Sequence, residues 1–135
     1  GRAVLLYRCV DDLEEGYEYD IEVSRKKVYK GLDEIVGLSI IKNSKPINIS
    51  KYMLSFENRM MGNDDYVNEV VANVDGVYRD RNMEVDGKKI PIYLKNHMQT
   101  PKDGQAIRLK KVQIGYYKNH MQFVVWDKKD YEIKE

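Results

Sequence analysis

One pattern occurs twice in this chain, and it limits the possible folds more than any other feature. Residues 3–39 lie without a gap over residues 91–127, so Leu6 falls on Leu94, Gly16 on Gly104, Tyr29 on Tyr117, Lys30 on Lys118 and Val36 on Val124. The offset is 88 positions, from Leu6 to Leu94. Identities are few, but the grammar is shared. Each copy reads as an apolar strand, a polar turn with an acidic residue before Gly, a long charged strand, a Tyr-Lys turn and an apolar strand. Such an echo predicts serial copies of one small fold. The alternative is a single irregular β-barrel in which the echo is accidental.

In the first copy, Ala3–Tyr7 reads as a buried strand, and Asp11–Gly16 as an acidic turn closing on a left-handed Gly. Tyr17–Val23 alternates, with Tyr17, Tyr19, Ile21 and Val23 on one face and Glu18, Asp20 and Glu22 on the other. Lys30-Gly31 supplies turn chemistry before the apolar strand Ile35–Ile41. Asn43–Pro46 then breaks the pattern. Ile49, Tyr52, Met53, Phe56 and Met60 are spaced as one helical face, with Ser50 as N-cap and Gly62-Asn63 as the stop. The expectation is a connecting amphipathic helix over 49–63.

The second block is mostly strand. Val67–Tyr78 carries Gly76 as a bulge or bend. Met83–Val85, Asp86-Gly87 and Lys88–Leu94 make the clearest hairpin, because Asp-Gly suits the mirror-image turn that strand twist favours. Asn96–Gly104 reads as a short turn or loop, Gln105–Ile114 and Met121–Asp127 as strands, and the tail Lys128–Glu135 as frayed. The fold class is therefore mainly β. Five short strands with an extra element between the third and fourth predict a five-stranded OB-fold barrel at about 67–127. Residues 1–48 would form the last three strands of an OB-like fold, 49–63 the connector, and 64–135 the OB-fold domain.

Composition excludes several classes. No run of 18 apolar residues exists, so no membrane span is expected. No signal peptide pattern is visible, and the chain opens on Gly1 rather than Met, as an excised fragment or processed product would. The expected location is cytoplasmic, nucleoid-associated in a prokaryote. Cys9 is the only cysteine, and with two His no Cys/His zinc cage is available. Residues 1–67 carry 10 basic and 12 acidic side chains, whereas residues 68–135 carry 13 and 10. That bias is milder than the basic footprint of a duplex-DNA binder.

Gly1-Arg2-Ala3-Val4-Leu5-Leu6, Asp12-Leu13-Glu14-Glu15-Gly16 and Tyr29-Lys30-Gly31 before an apolar strand together resemble the back half of archaeal OB-folds of the replication protein A type. The resemblance implies single-stranded DNA binding without catalysis, through serial OB-folds. It would make Gly1 the end of the first family turn and set Asp86-Gly87 at the same turn in the second copy. The second copy departs from the family pattern, since Asp86-Gly87 lacks the intervening residues and Pro91 occupies a strand position. Pro is tolerated only at an edge or bulge, so Pro91 either marks the barrel's opening or counts against the strand.

OB-folds bind strands with a basic groove and aromatic platforms. That geometry sets Tyr78, Arg79 and Arg81 at the first loop, Lys88 and Lys89 at the Asp-Gly hairpin, and Tyr93 and Lys95 along the third strand. Tyr93 alternates with Ile92 and Leu94, so it faces the groove if they face the core. Arg108 and Lys110 share one face of the fourth strand, while Tyr116, Tyr117, Lys118 and His120 occupy the last loop. Either Tyr116 or Tyr117 is core and the other exposed. Phe123 and Trp126 read as core. The pentamer Lys-Asn-His-Met-Gln occurs at 95–99 and 118–122, at unlike places in the fold, and supplies no metal-ligand spacing.

No catalytic constellation is visible, and no cofactor or metal is expected. The expected function is a non-enzymatic module for single-stranded nucleic acid, DNA or RNA, in replication, recombination or repair. Rival readings are an OB-fold for protein interaction or homo-oligomerisation, and an accessory domain of a larger nucleic-acid enzyme.

Overall fold

The computed structural model describes residues 2–9, 12–29, 31–42 and 45–134. Gly1, Asp11, Lys30 and Asn43, which carry turn roles in the sequence reading, lie outside the described residues. The chain divides into two compact units: Val4–Lys51, and Tyr52–Glu135 together with Gly1–Ala3.

The first unit is a three-stranded sheet of β1 (Leu5–Leu6), β2 (Asp20–Tyr29) and β3 (Leu32–Lys42). Its order is β1-β3-β2, with β1 parallel and β2 antiparallel to β3. After β3 the chain returns to the start of the charged strand, where Pro46 bridges Tyr17 and the Glu18 amide donates to the Lys45 carbonyl at 3.1 Å.

The second unit holds β4 (Leu54–Ser55), β5 (Val70–Arg79), β6 (Asn82–Val85), β7 (Lys88–Leu94), β8 (Ala106–Tyr117), β9 (His120–Val125) and β10 (Tyr131–Ile133). β5 pairs antiparallel with β6, and β6 with β7. β7 runs parallel to β9, β9 antiparallel to β8, and β8 antiparallel to β5. Five strands thus close on themselves, an arrangement consistent with an OB-like barrel. Asp86-Gly87 makes the expected turn, with both residues left-handed (φ 47 and 80).

β5 is shared. It pairs with β8 over Val70–Val77 and with β6 from Val77 on. Gly76 sits at this switch, where a Cβ would lie 2.5 Å from the Glu84 carbonyl oxygen. Asn73 takes a left-handed conformation (φ 56), and the inward side of β5 moves there from Val71 to Val74. β8 changes in step, from Val112 to Leu109, which are the partners of Val71 and Val74.

Strand order and hairpin register both recur at the 88-residue offset. The order β7-β9-β8 repeats β1-β3-β2. The pairs Tyr29↔Leu32, Val28↔Asp33, Lys27↔Glu34 and Lys26↔Ile35 return as Tyr117↔His120, Tyr116↔Met121, Gly115↔Gln122 and Ile114↔Phe123. Counterparts of β5 and β6 do not occur among the described residues of the first unit.

The barrel core contains Val71, Val74, Met83, Ile90, Ile92, Ile107, Leu109, Val112, Ile114, Phe123 and Val125. Burying each such side chain fully contributes roughly 1.5–3 kcal/mol.

Two expectations are corrected. The helix over 49–63 does not form, and no α-helix occurs among the described residues. Instead the segment runs through 3-10 turns at Ile49–Tyr52 and Asn58–Met60, separated by β4. Ser50 is not an N-cap; the Asn48 side chain accepts from the Ser50 amide (3.1 Å), a local bond that competes with helix. A three-turn helix is marginal by itself. The extended path lets Leu54 pair with Val71, lays Phe56 edge-on against Phe123 (5.1 Å, 70°) and buries both Met60 and Met61. The tail is not frayed either: Asp127 caps a 3-10 turn at Lys128–Asp130, and β10 pairs with β8 through Tyr131↔Leu109.

Candidate functional site

β7 is the spine of the candidate site. Ile90 and Ile92 point into the barrel, so the pleat turns Lys89, Pro91 and Tyr93 outward. Glu84 and Asn82 of β6 lie opposite Lys89 and Pro91. Pro91 is tolerated because pairing with β9 begins one residue later, at Ile92↔Phe123. The ladder is therefore open where the missing N–H would be needed.

At the C-terminal end of β7, Tyr93 is 50% exposed. The Lys95 ammonium lies 5.4 Å from the Tyr93 ring centre and 4.6 Å from that of Trp126. Trp126 is half-buried rather than core, which corrects the sequence reading. Its Nε1 donates to Gln113 Oε1 at 2.7 Å, and the Asn96 side chain donates to its carbonyl at 3.1 Å. These bonds fix the indole while its face meets the ammonium. The one available signal was position: Trp126 ends the apolar run and directly precedes Asp127. The β5–β6 turn, Asp80-Arg81, approaches the same end, since the Ile92 amide donates to the Arg81 carbonyl at 3.0 Å. Arg81 is exposed, and Arg79 pairs with Glu84 at 3.0 Å.

At the other end, the β8–β9 turn Lys118-Asn119 (φ 47 and 67) lies beside the start of β7, because β7 and β9 are parallel. Tyr117 is 37% exposed, with the Lys118 ammonium 5.4 Å from its ring centre. Tyr116 packs against the core, which settles the choice between the two. A groove of about 370 Å³ is lined here by Gly62, Lys88, Lys89, Tyr116, His120 and Met121, among others. Lys88 is engaged: its ammonium donates to the carbonyls of Asn58 and Met61, each at 3.3 Å.

Lys88 to Lys95 spans about 23 Å of extended chain. One outward track thus carries Lys89, Tyr93 and Lys95, with Arg81 and Trp126 at one end and Tyr117 and Lys118 at the other.

Besides Arg79 and Lys88, whose side chains are engaged by Glu84 and by the Asn58 and Met61 carbonyls, three expected site residues fall outside this track. Tyr78 is in the core, 6% exposed, because β5 continues to Arg79 and only Asp80-Arg81 forms the turn. Arg108 and Lys110 lie on β8, which pairs with β5, β9 and β10 and not with β6 or β7. Arg108 grips Asp75 with two bonds, 2.8 and 3.1 Å, and Lys110 reaches Glu132 at 3.6 Å. The Arg108 hydrogen bond holds the Asp75 carboxyl below the usual carboxylate range. Both cations are therefore matched by carboxylates.

No family model, no curated protein and no solved structure matches this chain.

Proposed function

We propose that the barrel is an OB-fold that binds single-stranded nucleic acid, DNA foremost, along β6 and β7 without catalysis, in replication, recombination or repair. The observation that carries the reading is the Tyr93–Lys95–Trp126 cluster, where the exposed Tyr93 ring, the half-buried Trp126 indole and a cation share one end of the track. Tyr93 and Tyr117 would stack bases, each stack contributing about 1–3 kcal/mol. Lys89, Lys95, Lys118 and Arg81 would follow the phosphates, releasing counterions as they do so. A track of about 23 Å fits about 4 nucleotides, the lower end of OB-fold site sizes. Kinship with proteins of the replication protein A type belongs to the same proposal and draws support from the recurring strand order.

The test is a fluorescence titration of Trp126 with oligo-dT at low salt, repeated as salt rises. Binding should quench the indole and weaken with a linear log–log salt slope. The Tyr93→Ala/Tyr117→Ala double variant should lose about 2–6 kcal/mol for two stacked bases. Unchanged affinity in a folded double variant would refute the assigned face.

A further inference from the structure

The groove at the start of β7, about 370 Å³, has room for a base. We propose, on the nucleic-acid reading above, that it receives one base of the bound strand and that Asp64, together with Asn119, selects guanine there.

Ile90, Pro91 and Met121 give the groove apolar surface, Tyr116 gives it a ring, and Asp64 and Asn119 give it polar groups. Its volume lies at the low end of the roughly 300–1,000 Å³ of small-ligand sites, which suits one nucleotide rather than a length of strand. The groove is continuous with the outward track, because Lys89 belongs to both.

The charges select the occupant. Lys88 also lines the groove, but its ammonium already donates to the Asn58 and Met61 carbonyls. Asp64 is exposed and joins no ion pair among the described residues. A carboxylate without a cation repels phosphate, so the group beside it must be a hydrogen-bond donor. The turn that carries Asp64 is held by its own bonds. The Val67 amide donates to the Asp64 carbonyl at 3.1 Å, and the Asn63 side chain accepts from the Asp65 amide at 3.0 Å. Asn119 Oδ1 accepts from the Tyr116 hydroxyl at 3.4 Å, which leaves the amide Nδ2 as a donor for a ligand.

Two neighbouring acceptor oxygens and one donor therefore line the groove. The Watson–Crick edge of guanine is their complement: N1–H and the N2 amino group stand side by side as donors, with O6 as acceptor. Cytosine and adenine set one amino group beside a ring-nitrogen lone pair, and thymine sets N3–H between two carbonyls. Each of these three turns an acceptor toward the carboxylate and leaves one of its oxygens unpaired. Single-stranded bases are open to reading on this edge.

Competition titrations of the full chain at low salt would compare oligo-dT with the same oligomer carrying one central dG, dI, dC or dA. The dG oligomer should bind about tenfold more tightly than oligo-dT, within the range of one bidentate base contact. Inosine lacks the N2 amino group, so dI should fall between the two. Asp64→Ala should abolish the preference and leave the affinity for oligo-dT nearly unchanged, whereas a merely structural role would weaken every oligomer alike. The comparison of dG with dI uses the unaltered chain and decides the case in which the variant fails to fold. Equal binding of the dG, dI and dT oligomers overturns the selection of guanine and leaves the nucleic-acid reading in place. So does a preference for dG that survives Asp64→Ala in a folded chain. A chain that binds none of the oligomers removes both.

Discussion

Phe123 lies fully buried on β9, with the Phe56 ring edge-on to it at 5.1 Å and 70°. Phe56 belongs to the segment whose helical spacing the fold overrides, so the pair tests how that segment packs. Phe123→Ala should cost about 3–5 kcal/mol, the usual loss for a phenyl ring in a closed core. Phe56 is part-buried, and its truncation should cost about half as much. The rings themselves should couple by about 0.5–1.5 kcal/mol beyond their burial. The unit spans Tyr52–Glu135, so its total stability is about 4–13 kcal/mol and each variant is measurable. The assay is urea unfolding followed through Trp126, the only Trp in the chain, which sits in this unit and is bonded to Gln113. A double-mutant cycle isolates the ring pair. Two destabilising single variants whose effects simply add would refute the contact and, with it, the extended path proposed for residues 53–61.

Gly76→Ala should destabilise the barrel by about 1–3 kcal/mol, because the new methyl meets the Glu84 carbonyl oxygen at 2.5 Å and backbone yields little. Gly87→Ala has open space around it, yet should still cost about 1–2 kcal/mol from its left-handed φ of +80; equal stability of both variants and the parent would contradict these backbone assignments. For Asp75, carboxyl-carbon NMR should find a pKa below the model-peptide value near ~3.9. A depressed folded pKa means that this pair stabilises fully above the unfolded value and stops doing so as pH falls through the folded one. Arg108→Gln should move the titration upward; an unmoved curve would mean that the two-pronged contact is absent in solution.

The parts legible in the sequence are those whose signal is local. Asp86-Gly87 needs only two adjacent left-handed residues, and the alternation of Ile90 and Ile92 with Tyr93 needs only the pleat. The 88-residue echo was visible because turn residues recur even where core residues differ. The parts that were not legible depend on distant neighbours. Phe56 and Met60 have helical spacing, but β5 and Phe123 offer them more than a short helix would. Tyr78 is buried because Asn73 shifts the inward side of β5 five residues earlier. Trp126 sits at the boundary because Gln113, on another strand, accepts its N–H. Arg108 and Lys110 read as groove cations only while Asp75 and Glu132 are out of sight.

Closure of the barrel also sets a timetable. β6–β7 and β8–β9 are joined by two-residue turns and can form early, whereas Val70 must find Gln113 across 43 positions (113 − 70). Contacts of such sequence separation slow folding toward the millisecond-to-second range. During synthesis, β5 lacks its β8 partner until residue 113 has emerged, and β7 lacks β9 until Val125 has. The nascent chain therefore carries an adhesive border from the emergence of Arg79 to that of Val125, and its yield should be governed by whatever shields that border until the last turn is made.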